Sequence, residues 1–347
     1  MNIIIKIMCF LLLPFFILSK NDYDCSTLKH NKLNDRRSNK NKLTLMQYNV
    51  EWLFLDYYKL SDCPGQGCTW NNETEAYQHL NYVYNVIKKF NPDIINLCEV
   101  EGCYELETLI NLTNNSDYQP YLITGTDTYT GQNVGMITKI DPNKSIYRIN
   151  DKETYPIKKS NCGYDENEKI TDVCKNFVSE FTINDINIAI ISAHLISKPV
   201  DPEQCSKREG QSIILQKIIN QYIKNNFEVI MIGDLNDFDN KVLDLNSNIP
   251  KSKVLDILKG QEGPLKNEYS LTSVAEKIVK EERFSNWYNS NNNCNIKSKY
   301  DYSMIDHILV TEKLLSKIQN TFIYHGYKEF CGKMNSDHYP VIVDFYF

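Results

Sequence analysis

The sequence predicts a layered α/β sandwich, and three observations carry that prediction. Short apolar runs of strand length recur from residue 43 to the C-terminus. Two long segments between them repeat apolar residues every three or four positions, the period of a helix with one buried face. One pair of runs is joined by Asn184-Asp185, a two-residue hairpin signal that demands antiparallel pairing.

In chain order, Leu43 to Val50 reads as the first buried strand. The segment Thr74 to Phe90 follows as a helix whose Ala76, Leu80, Val83, Ile87 and Phe90 form a single stripe. Asp93 to Val100 is the next strand. The hairpin then pairs Phe177 to Ile183 with Ile186 to Leu195. After the turn region Pro199 to Pro202, Arg208 to Lys224 reads as the second helix through Leu215, Ile218 and Tyr222. Strands are expected at Phe227 to Gly233, Ile305 to Thr311 and Val341 to Phe347. There is no internal repeat and no second composition regime after residue 43. Ser285 to Asn295 reads as a surface loop without assignable chemistry.

A length of 347 residues with 42% hydrophobic content suffices for one large α/β domain or two small ones. Residues 1–20 hold Lys6 and a nearly unbroken apolar run from Met8 to Leu18, broken only by Pro14. The run falls short of the roughly 20 apolar residues that span a bilayer. A secretory signal peptide is therefore expected, with an uncleaved signal anchor as the alternative. Residues 21–42 carry six basic side chains against Asp22, Asp24 and Asp35 and lack apolar anchors, so they read as a basic disordered linker or a solvated tail. The chain nets −6, and with residues 1–42 set aside the remainder nets −11. No further stretch approaches membrane-spanning length, and a monomer is expected.

Ten of the 11 cysteines follow residue 20, an even number behind a leader that fits an oxidising compartment. Cys63/Cys68 and Cys162/Cys174 are spaced for short disulfide loops, and Cys98, inside an apolar run, reads as a buried thiol. None lies in a CxxC or Cys/His array, which argues against a thiolate zinc site. Sequons at Asn72, Asn111, Asn114 and Asn143 fit secretion.

Chemistry concentrates in short polar clusters at the ends of apolar runs: Asn49-Val50-Glu51, Glu99, His194, Asp234-Leu235-Asn236, Asp306 and Ser336-Asp337-His338. Strand ends bring such residues to one rim of a sheet. Five carboxylates gathered there oppose one another's ionisation unless a cation joins them. Hard oxygen donors in that number point to Mg²⁺, with Mn²⁺ or Ca²⁺ as alternatives, rather than to zinc.

The ordered series NVE, DIINLCEVE, SAHL, GDLND, IDHILV and SDHYPV resembles the endonuclease/exonuclease/phosphatase superfamily over about residues 43–347. That superfamily includes secreted deoxyribonucleases, abasic-site endonucleases, bacterial sphingomyelinases and inositol-polyphosphate phosphatases. The resemblance implies a four-layer sandwich, two mixed β-sheets flanked by helices, and a metal-dependent phosphodiesterase. It implies Glu99 as central metal ligand, helped by Glu51 and Asp337, although related secreted nucleases carry an amide at the position of Glu51. Asn49, Asn236 and His338 are expected to grip the phosphate. Asp234 is expected to orient or deprotonate the attacking water, Asp306 to hold His338 charged, and His194 to protonate or stabilise the leaving oxygen. Glu101, Asp237 and His307 adjoin the motifs without an implied role, so substitution of Asp237 is expected to be mild.

The substrate reading divides. SDHYPV looks most like the deoxyribonuclease wording, which with the leader makes a secreted nuclease acting on DNA or RNA the expectation. His194-Leu195 is closer to the sphingomyelinase and inositol-phosphatase wording, so a lipid or small phosphoester substrate is the alternative; the aromatic-Cys-Asp-Arg-Ile-Leu signature of the latter is replaced by Asp306-His307-Ile308-Leu309-Val310. A non-catalytic interaction protein that kept the fold is a third reading. An acidic core does not favour a broad grip on nucleic acid. Local candidates for phosphate contacts are Lys139, Arg148, Lys158 and Lys159, against a plain solvated face. Trp52 to Tyr58 is the one segment suited to a lipid surface, with core packing as its other reading.

Overall fold

Strand β1 (Lys42–Leu53) serves two cores at once, and that sets the architecture. Leu43 and Leu45 join one apolar cluster while Met46, Tyr48 and Val50 join another on the opposite face, as the two-residue alternation of a strand requires. The computed structural model describes residues 24–28, 33–55, 70–288, 301–327 and 336–347. The expected leader, residues 1–20, and the Cys63/Cys68 pair lie outside the described residues.

Helix α1 (Glu73–Phe90) starts where the Asn72 side chain accepts the Glu75 N–H and stops at Asn91 in the left-handed conformation. Its Ala76, Leu80, Val83 and Ile87 pack on the outer face of β1. The helix is the crossover that lets β2 (Ile94–Val100) run parallel to β1. Helix α2 (Cys103–Thr113) covers the same face, and β3 (Gln119–Leu122) with β4 (Asn133–Thr138) extends the sheet.

A short hairpin, β5 (Lys152–Tyr155) with β6 (Lys169–Asp172), precedes β7 (Lys175–Ile183) and β8 (Ile186–His194). Asn184 and Asp185 turn that second hairpin with φ of 48° and 62°, as a type I′ turn requires. Helix α3 (Pro202–Lys224) then crosses to β9 (Glu228–Asp234), parallel to β8. The helix begins at Pro202 rather than at the expected Arg208. Asp201 caps the Gln204 N–H and proline occupies the first turn, whose residues carry little apolar periodicity. The chain continues through α4 (Val254–Leu258), β10 (Thr272–Ser273), β11 (Asn286–Trp287), β12 (Tyr302–Ser303), β13 (Asp306–Val310), α5 (Glu312–Leu315), β14 (Ile318–Ile323) and β15 (Val341–Tyr346).

Two main sheets result, ordered β14-β15-β1-β2-β4-β3 and β10-β13-β9-β8-β7, each with one parallel pair among antiparallel neighbours. They pack face to face over Leu45, Ile94, Phe177, Ile190, Ile232 and Ile308. Each such aliphatic side chain contributes about 1.5–3 kcal/mol when fully buried. Helices α1 and α2 cover one outer face and α3 and α4 the other, giving four layers. No helix among the described residues is long and apolar enough to cross a membrane.

Three local expectations change. Within the segment 21–42 expected as a linker, the described residues dock on the domain. Cys25 is disulfide-bonded to Cys103, Arg36 pairs with Asp141 at 2.6 Å, and the Arg36 N–H donates to the Lys139 carbonyl at 2.8 Å. An ion pair, a backbone hydrogen bond and a disulfide hold these described residues, so the segment's lack of an apolar face was no guide. Cys162 bonds Cys205 on α3 rather than Cys174, which is free, as is buried Cys98. Leu53, Phe54 and Leu55 are buried, so the described part of the Trp52 to Tyr58 segment is core.

Candidate active site

The inner faces of the two sheets change character along each strand. Apolar Leu43 and Leu45 of β1 give way to Gln47 and Asn49; Ile188 and Ile190 of β8 give way to Ser192 and His194. Ile232 of β9 is followed on the same face by Asp234, and Ile308 of the antiparallel β13 is preceded by Asp306, the direct partner of Asp234. Alternation therefore turns these polar side chains inward at one end of the sandwich. Gly233 is required beside Asp234, because a Cβ there would lie 1.8 Å from the Ala193 carbonyl oxygen. Glu51, Trp52, Glu99 and Asn236 take left-handed φ of 49°, 49°, 66° and 51°. Such conformations cost on the order of 1–3 kcal/mol each and collect at functional sites.

Asn49 sits at the centre. Its Nδ2 donates to Glu99 Oε1 and to Asp234 Oδ2, both at 3.0 Å, and its Oδ1 accepts the Glu51 N–H at 3.0 Å. Glu99 Oε2 accepts from Gln132 Nε2 at 2.8 Å and from the Trp52 N–H at 3.2 Å. Glu51 Oε2 accepts the Asp337 N–H at 3.0 Å, which joins the end of β1 to the segment before β15. His338 Nδ1 lies 2.7 Å from Asp306 Oδ2. Asn236 gives its N–H to Asp234 Oδ1 at 3.0 Å and its Nδ2 to the Leu195 carbonyl at 3.1 Å.

The two imidazoles are pushed in opposite directions. Burial alone would discharge His338, but the carboxylates of Asp306, Asp337 and Asp234 outweigh it and hold the ring well above its usual pKa. Burial, then the charges of Lys175 and His338, push His194 well below its usual value. His194 Nε2 lies 3.5 Å from Asp234 Oδ2 and 3.9 Å from Glu99 Oε1, outside normal hydrogen-bond length, so no short contact opposes the neutral form.

The carboxylates are raised together. Burial leads in lifting Glu51 well above the usual range, followed by the charges of Asp337 and Glu99. Burial also leads in lifting Asp234 to about 7, with Asp306 next. It leads again in lifting Asp337 to about 6, where His338 favours ionisation and Glu99 opposes it. Among the described residues the cationic partners within 4.0 Å of Glu99, Asp234 and Asp337 are imidazoles. A wall of hard oxygen donors short of compensating charge fits a divalent cation of the Mg²⁺, Mn²⁺ or Ca²⁺ type. The most compact donor groups, with atoms within 4.8 Å of one another, are Glu99/His194/Asp234 and Asp234/Asp306/His338. In the second, His338 is already engaged by Asp306, so the Glu99 group is the one whose imidazole has no carboxylate within hydrogen-bond length.

No protein-family model and no curated protein matches the sequence. Solved structures do match. An AP endonuclease from Archaeoglobus fulgidus superposes with TM-score 0.57 at 14% identity, covering 87% of this chain and 99% of that one. TDP2 from D. rerio, complexed with single-strand DNA product, gives 0.52 at 16%, covering 88% and 99%. An endonuclease/exonuclease/phosphatase family protein from Bacteroides thetaiotaomicron gives 0.52 at 16%, covering 88% and 98%. The chain has the endonuclease/exonuclease/phosphatase fold. Glu99, His194 and Asp234 line one cleft together with Asp337 and His338, and Asn49 and Asp306 are buried against them.

The structure brings every residue expected at the site into that one region: Asn49, Glu51, Glu99, His194, Asp234, Asn236, Asp306, Asp337 and His338. The candidate phosphate-contacting cations, for which a plain solvated face was the other reading, lie elsewhere. Lys139 is buried against Asp93 at the other end of β2, Arg148 bonds Thr126 and Asn150, and Lys158 and Lys159 do not line the cleft. Asp237 is not a bystander, since it is buried and paired with Arg208 at 3.0 Å. The supposed surface loop 285–295 begins with a buried residue, Ser285, whose hydroxyl donates to Asp306 Oδ2 at 2.8 Å; 289–295 lie outside the described residues. Gln47, Gln132 and Lys175 were missed too. A polar residue on the inward phase of a strand, as Gln47 is, was the available signal.

Proposed function

We propose that this chain is a divalent-metal-dependent phosphodiesterase that enters the secretory route and hydrolyses nucleic acid. The observation that carries the reading is Asn49, which ties the acidic wall at Glu99 to Asp234 and lies 3.4 Å from His338 Nε2. A cation bound at Glu99, Glu51 and Asp337 would act as a Lewis acid on a phosphate oxygen. Asp234, raised to about 7, is poised to orient the attacking water and accept its proton. Charged His338, held by Asp306, donates to a phosphate oxygen together with Asn49 and Asn236, where negative charge builds in the transition state. Neutral His194 donates a hydrogen bond to the leaving oxygen. Neighbours of the same fold include the AP endonuclease and the TDP2 complex with DNA product, which supports nucleic acid as substrate, and a mannosyl-6-phosphatase from Bacteroides thetaiotaomicron, which leaves a small phosphoester as the alternative. The apolar leader and two disulfides, Cys25–Cys103 and Cys162–Cys205, support an oxidising compartment.

The test is the chain secreted from a host cell and assayed with Mg²⁺, Mn²⁺, Ca²⁺ or EDTA on plasmid DNA, RNA, sphingomyelin and inositol polyphosphates. Metal-dependent cleavage of DNA or RNA is expected. Turnover confined to the lipid or the inositol phosphates would overturn the nuclease assignment.

A further inference from the structure

The cleft has two lobes that share the Glu99 and His194 wall, one of about 640 Å³ and one of about 470 Å³. They differ in charge. The larger is lined by Asp234, Asp301, Asp337 and His338 with the rings of Phe238, Tyr288 and Tyr302, and among the described residues its one ammonium is Lys198 at the shared edge. The smaller is lined by Lys175, Lys198 and Lys207, opposed beyond the shared wall, among the described residues, by Asp127 alone. This positive excess stands against a chain whose net charge is −6.

The smaller lobe is built rather than incidental. Lys175 is buried, with its ammonium 3.3 Å from both Gln132 Oε1 and Asp127 Oδ2, and Gln132 in turn holds Glu99. Lys198 and Lys207 have no carboxylate within 4.0 Å among the described residues. The backbone that carries Lys198 is pinned by the Arg208 guanidinium, which donates to the carbonyls of Ile196, Ser197, Lys198 and Pro199 at 3.0–3.2 Å. A preorganised cationic recess loses little on binding an anion.

We infer that the smaller lobe is a subsite for a second phosphate, the one next to the scissile phosphodiester in a polynucleotide, held by Lys198 and Lys207 with Lys175 behind them. This rests on the nuclease reading above. The substrate strand is thereby given a direction across the cleft, with its additional phosphate on the lysine side and an uncharged sugar or base on the aromatic side.

The experiment uses the full secreted chain and its Lys198→Glu/Lys207→Glu variant. Substrates are bis(p-nitrophenyl) phosphate and thymidine dinucleotides bearing no terminal phosphate, a 5′-phosphate or a 3′-phosphate. One of the two terminal phosphates is expected to raise kcat/KM by about tenfold or more, as charge-assisted contacts allow, and the variant to lose that gain. A second arm measures binding of a labelled single-stranded oligonucleotide in EDTA. There the slope of log K against log salt is expected to fall by roughly 0.7 for each lysine that meets a phosphate. No gain from either phosphate, or a gain that survives in the variant, overturns the subsite. Absence of hydrolysis of every substrate with every metal overturns the nuclease reading instead, and an unchanged salt slope in the EDTA arm then overturns the subsite on its own.

Discussion

His338 Nδ1 and Asp306 Oδ2 stand 2.7 Å apart and join the two sheets at the floor of the cleft, since Asp306 opens β13 and His338 precedes β15. The carboxylate is itself held, by Gln47 Nε2 at 3.0 Å on Oδ1 and the Ser285 hydroxyl at 2.8 Å on Oδ2. Its orientation is thus set before substrate arrives. Asp306→Asn keeps the shape and removes the charge that favours the imidazolium. A fall in kcat of about a hundredfold or more is expected, the usual worth of a positioned donor to charge that builds in the transition state. A folded Asp306→Asn protein with unchanged kcat on plasmid DNA would remove His338 from the reaction.

Glu99 is the best-connected member of the acidic wall, through Asn49, Gln132 and the Trp52 N–H. Glu99→Ala should abolish the strongest Mg²⁺ site seen by titration calorimetry and cut turnover about a thousandfold, the scale of several kcal/mol of charge stabilisation. Chelation of the wild-type protein should give the same loss. Retention of Mg²⁺ affinity in the variant would move the cation elsewhere.

Asp237 is expected to matter for folding rather than chemistry. Its pairing with Arg208 is fully buried, with side-chain exposures of 1% and 0%, and Ser252 donates to the same oxygen at 2.6 Å. Asp237→Ala leaves a guanidinium buried without its carboxylate, which costs about 3–5 kcal/mol. Urea denaturation should show the loss, and Asp237→Leu/Arg208→Met should recover part of it because both charges are then gone. A midpoint equal to wild type in the single variant would contradict the burial of the pair.

His307 sets a pH dependence of stability. Burial, its largest influence, lowers the ring below its usual pKa even though the Asp239 and Asp306 charges and the Asp237 carbonyl favour the charged form. The native state therefore refuses a proton that the unfolded chain accepts once pH drops below about 6.5. Stability present above that point is lost progressively as pH falls through the folded pKa. His307→Gln, which keeps a donor for the Asp237 carbonyl, should flatten the stability slope below about pH 6.5, the ordinary histidine pKa. Equal slopes for the two proteins in chemical denaturation would show that His307 is already charged inside.

The element types and most of the chemistry were legible because they are local. Alternation along β1, β8, β9 and β13 shows in sequence where an apolar inner face ends; of the polar residues at those ends, His194 and Asp234 line the cleft, and Gln47, Asn49 and Asp306 lie buried among them. Ser285, Gln132, Lys175 and Arg208 carried no such signal. Ser285 follows no apolar run, and the other three look like ordinary surface residues until their partners are known. Lys139 and Arg148 misled for the same reason, since a cation in sequence does not say which carboxylate or carbonyl it will meet.

By itself the sequence determined an α/β sandwich, its principal strands and helices, and the residue types available for metal and phosphate chemistry, because period and composition are properties of neighbours along the chain. Only the tertiary structure decided that Gln47 reaches Asp306 across 259 positions, that Cys162 chooses Cys205, and that one lobe of the cleft is cationic in an acidic protein. Those pairings follow from how two sheets close on a shared core, an energy summed over the whole chain that no local window contains.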